Sequence, residues 1–173
     1  GVKYPRGLKR ENYDSDKEFA AAVSLKHRDA VKSKFENIDT DWSELPQSVK
    51  FAIVDLHYNA GRIGSTASKD TQEDMLKNTL EYVLMSSKKD NTKGTLISLA
   101  KRRAWNWNKT VADTGLSKIT RIEQIPTTNG TQFKYYDKDS NVIHEVNNKS
   151  TKPYKILNNG ALELLTETRE VTL

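Results

Sequence analysis

Leu45-Pro46-Gln47-Ser48-Val49-Lys50-Phe51-Ala52-Ile53-Val54-Asp55-Leu56-His57-Tyr58-Asn59-Ala60-Gly61 is the stretch on which the fold turns. Val49, Ala52, Ile53, Leu56 and Ala60 recur at i, i+3, i+4, i+7 and i+11, which is the spacing of one face of an α-helix. Pro46 suits a first helical turn, where a missing N–H leaves no helical bond unmade. Gly61 supplies the residue that most readily takes a left-handed stop. The pattern predicts a helix over residues 46–60, apolar enough to lie at the centre of a bundle.

Upstream, Phe19, Ala22, Val23, Ala30, Val31 and Phe35 recur near helical spacing. Ser15 followed by Glu18 has the form of a capping box, so a helix is predicted from about Ser15 to Phe35. A polar connector over 37–43 carries one large aromatic, Trp42. Downstream, a Gly/Ser/Thr loop over 62–69 precedes a third predicted helix, about Thr71 to Ser86, with Leu76, Leu80, Val83 and Leu84 on one face. A polar turn over 88–94 leads to a fourth, about Thr95 to Val111, with Leu96, Leu99, Arg103 and Trp107 along one side.

After Gly115 the period shortens. Ile119, Arg121, Glu123 and Ile125 alternate up to Pro126, and Thr127-Thr128-Asn129-Gly130 is a turn signal. Gln132 to Tyr136 and Val142 to Val146 flank a polar loop and read as a hairpin. Tyr154 to Leu157 is a third piece, and the run from Ala161 to Leu173 is open between strand and short helix. The predicted class is mainly α, a helical domain over 1–115 followed by a small β-rich extension over 116–173.

The 173 residues suit one domain or one domain with an appendage. With 35% hydrophobic and 29% charged residues, the core is modest and most helices must be amphipathic. No run approaches the roughly 20 apolar residues that span a bilayer, and no charged segment followed by an apolar stretch opens the chain, so a secretory signal is expected to be absent or already removed. The absence of cysteine excludes disulfides and thiolate chemistry. A net charge of +5 and a pI near 9.2 favour anionic polymers in general. The basic residues are interspersed with acidic ones rather than blocked, so nucleic acid is not the expected partner.

His27, His57 and His144 fall in different elements without metal-ligand spacing, and no metal or cofactor is expected. There is no Ser-His-Asp motif and no phosphate-cradling loop. Glu11, Asp14, Asp16 and Glu18 stand in polar sequence, where nothing would raise a carboxyl pKa for proton donation, and they read as solvated charges at a helix start. Asp55 lies inside the apolar helix and could line a cleft, pair with a base such as Arg102, or face water. Trp42, Trp105, Trp107, Tyr58 and Tyr82 offer flat apolar faces for sugar rings or for a core. Trp105 and Trp107, two apart on a helix, must face different ways.

The segment from Leu45 to Gly61, ending in Tyr58-Asn59-Ala60-Gly61, resembles the central helix of the phage-type lysozymes, the muramidases of the endolysin family. Leu99-Ala100-Lys101-Arg102-Arg103 is similar to that family's late helix, although Asn106 stands where an acidic residue is usual. Gly1-Val2-Lys3-Tyr4-Pro5 resembles the stretch just after the family's Gly-His-Thr hairpin. The likeness covers about residues 1–113 and implies a lysozyme-like helical lobe. It implies saccharide contact by Tyr58 and Asn59, and more distantly by Asn91 in the turn before the last helix. Asn59 reads equally well as a helix C-terminal residue. The family's catalytic Glu precedes the matched region, so no residue here inherits a catalytic role.

These features lead to the expectation of one piece of a muramidase that hydrolyses the N-acetylmuramic acid to N-acetylglucosamine bond, with its catalytic lobe supplied elsewhere. Its expected partners are peptidoglycan strands, an upstream lobe or other virion proteins, and its place a virion, tail or host periplasm and cell wall. The alternative is a non-enzymatic phage structural or glycan-binding protein.

Overall fold

The computed structural model describes residues 6–36, 38, 40–86 and 93–173. The chain divides into two units, Gly1–Thr79 and Leu80–Leu173.

The first unit is helical. α1 (Asp16–Lys34) starts at Ser15, whose hydroxyl accepts the Glu18 N–H at 3.1 Å. The returning limb of the cap lands one residue early, because the Glu18 carboxylate accepts from the Asp14 N–H at 3.2 Å. Val23, His27, Val31 and Phe35 are buried at intervals of four, and this side of α1 packs on α2 (Gln47–Ala60). Val49, Ile53 and Leu56 are wholly enclosed, each stabilising the fold by roughly 1.5–3 kcal/mol relative to exposure. Pro46 sits one position before the first helical residue, where its carbonyl accepts from Lys50. Gly61 stops the helix at φ 72°, with its N–H on the His57 carbonyl.

α3 (Gln72–Leu80) begins where Thr71 caps the Asp74 N–H, but it ends six residues before the predicted Ser86. Leu84–Ser86 instead form β1, which pairs antiparallel with β2 (Lys93–Leu96). Val83 is buried and Leu84 exposed, an alternation that a few apolar residues at helical intervals do not reveal. Thr95 and Leu96, predicted to open the fourth helix, belong to β2, so α4 runs over Ile97–Thr114. Of the expected turn over 88–94, residues 88–92 lie outside the described residues.

The second unit joins α4 to two four-stranded sheets. β3 (Arg121–Thr127), β4 (Gly130–Tyr136) and β5 (Val142–Lys149) form the antiparallel run the sequence announces, with Thr127 opposite Gly130 across a two-residue turn. β8 (Arg169–Thr172) adds to the free side of β3. β6 (Lys152–Ile156) leaves this sheet, pairs parallel with β2, and carries β7 (Leu162–Leu164) on its far side. The Tyr154 ring lies against the backbone of Gly94, where any side chain would collide with it.

Eight strands in two sheets beside four α-helices, counted among the described residues, make this an α/β protein, not the expected mainly α lobe with a small β-rich extension. The cause is long-range pairing. Residues 84–86, read locally as the end of one helix, and 93–96, read as a turn and the start of the next, supply two strands, and residues 152–156 pair alongside them. The division after Thr79 groups α4 with the strands, whereas the change in sequence texture falls near residue 116.

Candidate functional site

The C-terminal turn of α2 carries the residues singled out for saccharide contact. Tyr58 is half-buried, and its ring meets the His27 ring edge-on, with centroids 5.0 Å apart. The Asn59 amide Nδ2 donates to the Asp55 carbonyl at 2.8 Å, one turn back on the same helix. That bond turns one end of the Asn59 side chain inward to its own backbone. Asn91, the third expected contact, lies outside the described residues.

The structure brings together two histidines that the sequence left apart. His27 on α1 and His57 on α2 face each other with Nδ1 to Nδ1 at 2.7 Å, and His27 is 1% exposed. Two imidazoles joined through one ring nitrogen each hold a single proton between them, one donating and the other accepting. A second proton there would place two N–H groups head to head. Burial holds the His57 pKa below the ordinary histidine value, and the charges of His27 and Lys34 push it further down. Sequence offered one clue, since His27 continues the four-residue interval of Val23 and Val31 and so had to lie on the packed face.

The acidic residues near the start of α1 behave as solvated charges. Glu11, Asp14, Asp16 and Glu18 are all exposed, Arg10 pairs with Asp16, and Glu18 is engaged in the cap. Asp55 is half-buried and lies within 3.5 Å of the Asn59 amide. Among the described residues no group of three or more His, Cys, Asp or Glu side chains could hold a metal ion. No described helix is long and apolar enough to cross a membrane.

The aromatic candidates separate by burial. Trp42 packs on Phe35 with centroids 5.0 Å apart, and Trp107 is enclosed with its indole N–H on the Ser117 carbonyl at 2.8 Å. Trp105 is 52% exposed on α4, with the Lys101 ammonium 5.3 Å from its ring centroid and Lys109 exposed one turn farther on. An apolar ring bordered by cations suits a sugar face whose substituents carry carboxylates. Comparison with protein-family models, with curated proteins and with solved structures returned no match.

Proposed function

We propose that this chain is the glycan-contacting portion of a phage-type muramidase acting on peptidoglycan, with the proton-donating carboxylate supplied by a lobe outside these residues. The observation that supports it is α2. Its apolar stripe is enclosed from Val49 to Leu56, it ends on a left-handed Gly61, and Tyr58 stands at that end, as the resemblance implies. Cleavage in this class requires a carboxyl group held protonated beside the glycosidic oxygen. The exposed acids at the start of α1 lack the apolar surroundings that would hold one so. The chain then contributes contact and orientation, while the hydrolytic step depends on the partner lobe.

A zymogram on purified peptidoglycan tests this reading. The isolated chain leaves the gel uncleared, and adding the family's catalytic lobe restores clearing. Clearing by the chain alone would overturn the division of roles.

Exposed Trp105 and the inward bond of Asn59 favour a second reading, a glycan-binding protein with no hydrolytic partner. Retention on peptidoglycan without clearing, even beside the lobe, separates it from the first.

A further inference from the structure

β7 lies at the edge of its sheet, and its three residues are all exposed. The hydrogen-bond pattern fixes which of its backbone groups are available. The Leu157 N–H donates to the Ala161 carbonyl and the Leu165 N–H to the Pro153 carbonyl, so 157 with 161 and 153 with 165 are hydrogen-bonded pairs. Antiparallel pairs alternate in kind. Lys155 with Glu163 is therefore bonded, whereas Tyr154 with Leu164 and Ile156 with Leu162 are the close, non-bonded pairs. It follows that the N–H and C=O groups of Leu162 and Leu164 point away from β6, toward the open edge.

The same register places Tyr154, Ile156, Leu162 and Leu164 on one face of the sheet as a block of two by two. Ile156 is 50% exposed and Leu164 49%. Glu163 projects from the opposite face, with Lys155 across from it on β6. An open strand edge beside an apolar patch is a template for a further strand.

We infer that β7 receives an extended segment of a partner protein in which one basic residue is flanked by apolar residues. The apolar pair would continue the block beside Leu162 and Leu164, and the cation would stand opposite Glu163. A second copy of this chain fits poorly. In the only register that uses both outward residues, Leu162 pairs with Leu164 of the copy, and the two Glu163 carboxylates meet at the non-bonded position, about 4.5 Å between Cα atoms. Like charges directly opposite destabilise a strand pair. The inference is independent of the glycan reading, since it concerns a different surface and a protein ligand.

The test uses blocked nine-residue peptides alternating Val and Thr, with Lys or Glu at the centre, titrated to millimolar concentration against the whole chain by NMR. The Lys-centred peptide should slow amide exchange at Leu162 and Leu164, and the Glu-centred one should bind about five- to tenfold more weakly, the size of exchanging an attractive for a repulsive cross-strand pair. Glu163→Lys should reverse that preference, and Leu164→Lys should abolish binding of both. Leu164 is exposed, so Leu164→Lys should keep the parent's thermal midpoint, whereas Glu163→Lys faces Lys155 and should lower it slightly while β3, β4 and β5 keep their amide protection, which checks that the fold is intact. Absence of protection at Leu162 and Leu164, or equal binding of the two peptides, overturns the proposal. Self-association removed by Leu164→Lys would assign the edge to a second copy instead.

Discussion

Both units bury polar side chains, but they anchor them differently. Between α1 and α2, His27 meets His57 side chain to side chain, with Nδ1 to Nδ1 at 2.7 Å. In the second unit three buried side chains are tied to backbone carbonyls. The Tyr135 hydroxyl donates to Leu80 at 3.0 Å, the Gln124 amide to Thr95 at 3.2 Å, and Arg103 Nε reaches Tyr82 at 3.4 Å. A carbonyl does not titrate, and burial pushes the Tyr135 hydroxyl pKa far above neutral. The contrast teaches that the helical unit keeps its histidine contact in a packed helix seam, while the sheet unit's enclosed groups answer mainly to loss of packing or of a hydrogen bond. The sheet unit's histidine contact, His144 on β5 with the Glu81 carboxylate at 3.3 Å, lies toward the surface.

Packing sets the largest effect. Leu56→Ala removes a wholly enclosed side chain from α2 and should cost about 2–5 kcal/mol in chemical denaturation, depending on how far the site collapses. An effect below that range would mean that the Leu56 side chain is not enclosed. Next comes Tyr135→Phe in the sheet unit. It strands a buried carbonyl and should cost about 1–3 kcal/mol, by the same amount at pH 5 and pH 7.

The contrast itself is tested by pH. His57 has its folded pKa lowered below the unfolded value of 6.5. Between those two values the unfolded chain binds more protons than the folded one, so stability rises with pH across that window. The contribution is fully present above about pH 6.5 and declines as the pH falls through 6.5 toward the folded pKa. Amide protection factors in α1 and α2, which divide out the slower intrinsic exchange at low pH, should therefore fall at pH 5 relative to pH 7, while those in β3 and β4 hold. His57→Gln, which cannot take up a proton, should flatten that response. A uniform response across both units would erase the distinction.

The smallest effect on stability is expected at Trp105. Trp105→Ala should shift the unfolding free energy by no more than ~0.5 kcal/mol, as for other surface positions, so that any loss of glycan retention reports on binding.

Where structure is made locally, the sequence declares it. α1, α2 and the turn from Thr127 to Gly130 follow from caps, periodicity and a turn signal that need no distant partner. The ends of α3 and α4 do not, because β1 and β2 form by pairing with each other and with β6, whose residues lie far along the chain. The site divides in the same way. Tyr58 and Asn59 were legible as the end of one helix, whereas the contact of His27 with His57 joins residues thirty apart and depends on how two helices face. Trp105 was legible only as one of two possibilities, and burial of Trp107 decided between them.

The central claim is that these residues hold glycan without cutting it. Co-sedimentation of the whole chain with purified peptidoglycan tests it most directly, with soluble products assayed in the same tube. Retention that weakens in Trp105→Ala and Tyr58→Ala, with no soluble muropeptides released, is the predicted result. Failure to sediment, or release of muropeptides by the chain alone, would contradict it.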